Sequence, residues 1–201
     1  MKKNTIILSL SCLALLLVAS VITISKISSI GEEKTIIISN LLAKINKNQL
    51  LGLSDLVVTG TIQDIQSFAT SSKALTGQEE VYSNLKFKID SYLYNPKSLE
   101  GEEIIIQIPG GKVGGLSTFV EDSPTPELNH SYVMFLKKGG ADNVFSSIGA
   151  QGFFEIDNDT VGGSEIQKDI IKNIFNKDLT LEELKVELNT AAPETIPGQI
   201  K

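Results

Sequence analysis

Apolar and polar side chains alternate most regularly between Val81 and Leu93. The odd-numbered positions carry mainly apolar residues, whereas the even-numbered positions carry Tyr, Asn, Lys and Asp. A period of two is typical of a β-strand with one face buried and the other in water. The segment is long for a strand, which favours a strand that bends around a barrel.

Shorter segments of the same kind lie on both sides of this strand. Residues 55–65 are rich in β-branched side chains, and Gly60 within them predicts a bulge or a sharp bend. Residues 66–80, rich in Ser, Thr, Ala and Gly, are predicted to form a polar loop. Further strands are predicted at residues 103–108, 117–120, 131–136, 143–148 and 151–156. Short strands separated by turn signals indicate an all-β barrel or sandwich.

Three segments have a helical period instead. Apolar residues at positions 38, 41, 42 and 45 follow the spacing of an amphipathic helix, which Asn46 is predicted to end. Ser164 and Gln167 have the spacing of a capping box, and so do Thr180 and Glu183. The first box precedes a predicted apolar face of Ile166, Ile170, Ile171, Ile174 and Phe175, and the second precedes Leu181, Leu184 and Leu188.

The N-terminal region has a different pattern, an almost unbroken apolar run over residues 6–24 that follows Lys2 and Lys3. Such a run predicts either a cleaved export signal or a retained membrane anchor, and its length favours the anchor. Cys12 is interpreted as an ordinary apolar residue of this helix. The predicted organisation is residues 1–25 as signal or anchor, 26–35 as linker, 36–189 as the β-barrel domain with its helices, and 190–201 as a flexible tail.

Composition narrows the chemistry of the part that follows the run. From residue 26 onward there is no cysteine, which excludes disulfides, thiolate metal sites and a cysteine nucleophile. The same part has 16 Lys against 24 Asp and Glu, a net charge of −8, and the chain has no Arg. An acidic chain without Arg is a poor partner for nucleic acid.

Five pieces of the chain carry a resemblance to a known group of proteins. They are SDLVVTGT (54–61), FKIDSY (87–92), IPGGKVGG (108–115), YVMFL (132–136) and QGF (151–153). In their order they resemble a group of uncharacterised exported prokaryotic β-barrel proteins, which implies the fold and an exported location but no activity. The arrangement is also distantly similar to the netrin-like, inhibitor-type OB barrel. That family depends on disulfides and, in its metalloproteinase inhibitors, on an N-terminal cysteine, so its inhibitory chemistry does not transfer to this chain.

The most distinctive local motif runs from Pro109 to Gly115. One interpretation is a backbone nest that binds an anion, with Gly110, Gly111, Lys112, Gly114 and Gly115 as the candidate binding loop. The other is a tight connection between strands, where glycine supplies a positive φ or a close backbone approach. Steric considerations favour the tight connection. The spacing fits neither a Walker loop nor a dinucleotide fingerprint.

His130 is the only histidine, so any histidine-based catalysis must use it. It lies just before a predicted strand, which predicts a surface turn. A single histidine also excludes a multi-histidine zinc site.

Acidic residues are the remaining chemical candidates. Glu121, Asp122, Asp157 and Asp159 could supply a carboxylate pair to a hydrolase, which would require two of them to converge in a pocket. Solvated loops are the more common setting for such residues. Asn129 and Asn158 begin glycosylation sequons in predicted turns.

These patterns predict a mainly β, OB-like barrel with flanking helices, exposed outside the cell or secreted. The expected function is a binding or interaction module with no catalytic residue, metal or cofactor. Its expected partners are the membrane, through the N-terminal helix, and an envelope protein. The alternatives are an envelope hydrolase that uses carboxylates and a protease-inhibitor-like module that presents a rigid rim.

Overall fold

A computed structural model describes residues 34–38, 45–70, 79–121 and 125–194 of the chain. The apolar run at 6–24, Cys12, residues 26–33 of the predicted linker and residues 195–201 of the predicted tail lie outside the described residues. Within them, no helix is long and apolar enough to cross a membrane.

Eleven strands, three α-helices and one 3₁₀-helix are formed by the described residues. The strands are β1 (Lys34–Ile38), β2 (Leu56–Thr70), β3 (Glu80–Tyr94), β4 (Glu103–Pro109), β5 (Gly111–Val113), β6 (Leu116–Val120), β7 (Ser131–Lys138), β8 (Val144–Ser147), β9 (Phe153–Asp157), β10 (Thr160–Val161) and β11 (Leu179–Thr180). The helices are α1 (Lys47–Leu53), the 3₁₀ turn Gly149–Gly152, α2 (Glu165–Phe175) and α3 (Leu181–Thr190). The predicted mainly β class is confirmed.

The two longest strands, β2 and β3, pair antiparallel from Val57–Tyr94 to Thr70–Glu80. The register shifts between Thr59 and Gly60, which confirms the predicted irregularity there. The predicted loop at 66–80 is wrong over residues 66–70, which continue β2, and at Glu80, which begins β3 and pairs with Thr70. Residues 71–78 lie outside the described part. Polar side chains can extend a strand when a neighbouring strand supplies the backbone partners, and β3 supplies them here.

The large sheet has the strand order β11-β10-β9-β7-β2-β3-β4-β8, and β8 also pairs with β7. All its pairs are antiparallel except β4 with β8. A smaller sheet has the order β1-β6-β5. From Thr35 onward, the described residues form one compact unit.

The first five residues of β2 and residues 132–136 of β7 are buried on both faces because an apolar cluster lies on each side of them. Leu56, Val58, Met134 and Leu136 belong to one cluster, together with residues of β3, β4, β8 and β9. The residues between them, such as Val57 and Phe135, belong to the other cluster, which contains the buried side chains of the helices. The near-continuous apolar run at 132–136 follows from this position between two cores.

Helix α1 begins where the sequence predicted a helix to end. Asn46 is its N-cap and forms a capping box with Gln49, since each side chain accepts a hydrogen bond from the other residue's backbone N–H. The helix predicted over 38–45 is wrong at both ends: Ile38 is in β1 and Ile45 precedes the cap, while residues 39–44 lie outside the described part. The predicted linker is likewise wrong at Lys34 and Thr35, which belong to β1.

The two C-terminal helices match their predicted starts. Thr180 and Glu183 form the predicted capping box of α3. Ser164 caps α2, but the Gln167 side chain turns inward and accepts hydrogen bonds from the N–H groups of Glu155 and Gly163, so the predicted box is only half formed. On α2 the predicted apolar face is confirmed except at Ile166, which is 53% exposed.

The segment after α3 contacts α1. The N–H of Glu194 donates to the carbonyl of Asn48, and the N–H of Ala192 donates to Oδ1 of the Asn48 side chain. A Cβ on Gly52 would lie 1.8 Å from the Glu194 carbonyl oxygen, so this glycine permits a close backbone approach. The first residues of the segment predicted as a tail are therefore held against the domain.

Candidate functional site

The hairpin formed by β5 and β6 lies against the ends of β2 and β3. Its position is fixed by two hydrogen bonds to one residue of β3: the N–H of Gly110 donates to the carbonyl of Val81, and the N–H of Val81 donates to Thr118 Oγ1. Thr118 is 5% exposed, and its hydroxyl therefore serves as a buried backbone partner between the two sheets.

A cleft of about 220 Å³ lies between this hairpin and the long strands. Its lining is mainly apolar, with several hydroxyl groups. The lining residues are Ile65, Ser67, Ser83, Ile108, Pro109, Gly110, Gly111, Thr118, Phe119, Val120, Thr125 and Pro126. None of these lining residues carries a charge.

Gly111 is where the cleft wall approaches β2 and β3 most closely. It has φ +129, and a Cβ there would lie 2.6 Å from both Ser67 Oγ and Ser83 Oγ. The neighbouring Gly110 has φ +115, and its carbonyl accepts a hydrogen bond of 2.7 Å from Ser83 Oγ. The positive φ values and the close backbone approach match the interpretation of the motif as a tight connection between strands.

The other residues of the predicted binding loop lie away from the cleft. Lys112 is exposed in β5, and Gly114 and Gly115 are exposed at the hairpin turn, where Gly114 has φ +59. Only Gly110 and Gly111 of the five line the cleft. Because the Gly110 N–H donates to Val81, it is not available to an anion, and the arrangement gives little support to an anion-binding nest.

Two serines that are not among the sequence-predicted candidates complete the cleft. Ser67 and Ser83 lie opposite each other on β2 and β3, with their hydroxyl oxygens 2.9 Å apart. Ser83 is 2% exposed and occupies a position of β3 whose neighbours along the buried face are Val81 and Leu85. A serine between apolar residues on the buried face of a strand can be recognised in the sequence, and it indicates a buried hydroxyl that needs a hydrogen-bond partner. The sequence around Ser67 carries no comparable signal, because residues 66–80 are rich in Ser, Thr, Ala and Gly and show no alternation of apolar and polar side chains.

A second group of polar side chains surrounds His130. His130 Nδ1 lies 2.9 Å from Glu155 Oε1, and Nε2 lies 3.4 Å from Glu127 Oε2. The turn that carries His130 is attached to β2, since Asn129 N–H donates to the Ile62 carbonyl and Ile62 N–H donates to that of His130. The predicted surface turn is confirmed, as the His130 side chain is 46% exposed.

The two carboxylates of this group contact different nitrogens of the ring, so they flank the imidazole and do not converge on one point. Among the described residues, no group of three His, Cys, Asp or Glu side chains could hold a metal ion. Nearby, the buried Tyr132 hydroxyl accepts a hydrogen bond from the Glu127 N–H, and burial raises the pKa of Tyr132 to about 12. The tyrosine therefore stays protonated at ordinary pH and serves to anchor the loop.

The His130 imidazole is expected to titrate above its ordinary pKa of 6.5, mainly because the Glu155 carboxylate stabilises the protonated ring. A raised pKa in the folded state means that His130 stabilises the fold fully below pH 6.5, and that this contribution is lost as the pH rises through the folded pKa. Substitution His130→Gln should therefore lower the urea midpoint more at about pH 5.5 than at about pH 8.5. The single histidine also gives one NMR titration curve.

Two glutamine variants test whether the neighbouring carboxylates raise the pKa of His130. Glu155→Gln removes the shorter contact and should return the pKa of His130 towards 6.5. Glu127→Gln should lower it less, because that contact is longer and its carboxylate is 61% exposed. A His130 pKa at or below 6.5 in the unaltered protein would contradict the assignment.

The remaining acidic candidates do not line the cleft. Glu121 is exposed at the end of β6, and Asp157 and Asp159 are exposed beside the turn between β9 and β10. Asp122 lies outside the described residues. The sequon residues Asn129 and Asn158 are both exposed in turns, with φ +63 and +46.

Comparison with known proteins adds no relative from which a site could be transferred: no family model matches the chain, and no curated protein matches it.

Proposed function

We propose that this chain is an extracytoplasmic binding module whose binding site is the cleft beside Gly110 and Gly111. The observation that supports this most directly is the construction of the cleft. Gly110 and Gly111, both with positive φ, lead into a hairpin that lines an open cleft of about 220 Å³. The lining is mainly apolar and includes several hydroxyl groups. Concave apolar sites with a few placed polar groups are the usual form of a ligand site.

The cellular location in this proposal rests on the N-terminal sequence. The apolar run at 6–24 after Lys2 and Lys3 supports export, with the chain either anchored or secreted. The membrane, through the N-terminal segment, and an envelope protein are the proposed partners. A net charge of −6 without any Arg gives no basis for nucleic acid as a partner.

We further propose that β2, β3, β4, β8 and β7 form an OB-like barrel, as in the exported β-barrel group and the netrin-like barrels that the sequence resembles. Each of these strands pairs with two of the others, and the order β2-β3-β4-β8-β7 returns to β2. The parallel pair β4–β8 among antiparallel neighbours supports a Greek-key arrangement of this kind.

The alternatives receive less support from the described residues. A hydrolase that uses two carboxylates needs them to converge in a pocket, whereas Glu121, Asp157 and Asp159 are exposed and do not line the cleft. A protease-inhibitor-like module would have to present the exposed turn at Gly114 and Gly115 to the protease.

Blocking the cleft should abolish the binding of small uncharged fragments to the full-length protein in detergent. Ile65 lines the cleft and is half-buried, so Ile65→Trp adds volume there while keeping the apolar contact. In the unaltered protein we expect fragment binding to shift the methyl resonances of Ile108 and Val120, and in Ile65→Trp we expect these shifts to disappear.

The matched control is Ile166→Trp, the same substitution at an exposed position of α2 outside the cleft. It should bind fragments as the unaltered protein does. Equal binding by both tryptophan variants, or turnover of a substrate that depends on the exposed carboxylates, would overturn the proposal.

A further inference from the structure

The size and lining of the cleft limit what it can hold. An engineered cavity of about 150 Å³ in another protein holds one benzene molecule, and the cleft here is somewhat larger at about 220 Å³. Its walls include Ile65, Ile108 and Val120, and none of the described residues that line it is charged. A charged group placed there would lose its hydration without gaining an ionic partner from the lining, which is unfavourable.

The direction of the hydrogen bonds in the cleft is fixed by Ser83. A serine hydroxyl has one proton, and Ser83 Oγ donates its proton to the Gly110 carbonyl at 2.7 Å. In the contact between the two serines, 2.9 Å long, Ser67 must therefore be the donor and Ser83 the acceptor. Ser67 Oγ has then used its proton but still has acceptor capacity.

At Ser67 the cleft consequently requires a ligand group that donates a hydrogen bond. Ser67 is half-buried and lines the cleft, so a ligand group beside it can satisfy its oxygen by donating an O–H or N–H. On the opposite wall, the Gly110 N–H donates to the Val81 carbonyl and is not available to a ligand. The Thr118 hydroxyl accepts from the Val81 N–H and keeps its own proton, so it can donate to the oxygen of a ligand hydroxyl.

We infer that the cleft binds an uncharged apolar group of about the size of a six-membered ring that carries one hydroxyl, and that this hydroxyl donates to Ser67 Oγ. This inference rests on the proposed function and specifies the ligand of the same site. A small phenol or alicyclic alcohol has this chemistry, and so does the side chain of a tyrosine in a peptide.

Three probes of matched shape test the inference on the full-length protein: phenol, toluene and benzoate. Phenol should bind about three- to tenfold more tightly than toluene, as one added neutral hydrogen bond gives. Benzoate should bind more weakly than either. In Ser67→Ala the affinity for phenol should fall to that for toluene, while the affinity for toluene stays the same.

The control variant is Ser146→Ala, which removes an exposed hydroxyl of β8 outside the cleft and should leave the preference for phenol intact. Capped pentapeptides with a central Tyr or Phe distinguish the two sources. Tighter binding of the Tyr peptide than of phenol would assign the group to a peptide, and weaker binding would assign it to a small molecule.

Failure of the inference is distinguishable from failure of the proposed function. Equal binding of phenol and toluene, or a preference for phenol that survives in Ser67→Ala, overturns the inference while the cleft remains a binding site. Tightest binding by benzoate overturns it in favour of an anion. Absence of binding by all three probes overturns both proposals.

Discussion

Substitution Gly60→Val is expected to lower the free energy of unfolding by at least about 3 kcal/mol, because no space exists for a side chain at this position. A Cβ on Gly60 would lie 2.0 Å from the Lys88 carbonyl oxygen and 2.6 Å from Cε1 of Phe87. The first neighbour is backbone, so it can move only if β3 moves relative to β2. The register of the β2–β3 pairing also shifts at this point. Urea denaturation at equilibrium measures the effect.

The matched control is Gly140→Val. Gly140 is exposed, and a Cβ there would have nothing within 4 Å. The change in the free energy of unfolding should stay within about 0.5 kcal/mol. Similar losses for the two variants would mean that the close approach at Gly60 does not determine stability.

The sequence predicted most of the large sheet, because the strands carry their own signal. In β3 the alternation of side chains reports directly which face is buried, and Val81, Leu85 and Phe87 are all fully buried. In β7 the unbroken run at 132–136 reports burial on both faces. Gly60 reported the irregularity of β2, since few other reasons place a glycine inside such a strand.

The first helix shows where local patterns were insufficient. Positions 38, 41, 42 and 45 have helical spacing, yet Ile38 pairs in a strand, with its carbonyl accepting from the Glu121 N–H. Asn46 and Gln49 form a capping box as clear as the one at Thr180, whereas the apolar spacing at 38–45 predicts that Asn46 ends a helix. The choice between the two interpretations depends on the partner of β1, which lies some 80 residues away in sequence, as the contact between Thr35 and Ser117 shows.

The sequence predicts only part of the candidate site, because the other part depends on residues that are distant along the chain. The glycine motif at 109–115 was recognisable, and its steric role follows from Gly110 and Gly111. The cleft itself depends on Ser67 and Ser83, whose proximity requires the long β2–β3 pairing. No local pattern near Ser67 predicts that its strand continues, so the hydroxyl that we assign as the acceptor could be found only from the fold.

Substitution Phe135→Ala is expected to lower the free energy of unfolding by about 3–5 kcal/mol, the usual cost of removing a buried phenylalanine side chain. Phe135 is fully buried on the face of β7 that packs against the helices, and its ring lies edge-on to that of Phe154 at 6.2 Å between centroids. The surrounding cluster combines strand residues with side chains of all three helices, so the vacated space cannot close without moving several elements. Urea denaturation measures the loss, and hydrogen exchange should show faster opening in α2 and α3.

Phe119→Ala separates the effect of burial from that of residue type. Phe119 is 52% exposed on β6, so its truncation should cost less than about 1 kcal/mol. Because Phe119 also lines the cleft, the same variant should weaken the binding of uncharged fragments while leaving stability nearly unchanged. Phe135→Ala should have the opposite profile in protein that remains folded, because Phe135 belongs to the helix-side cluster and does not line the cleft. Equal loss of stability in both variants would show that the division between the buried core and the cleft wall is incorrect.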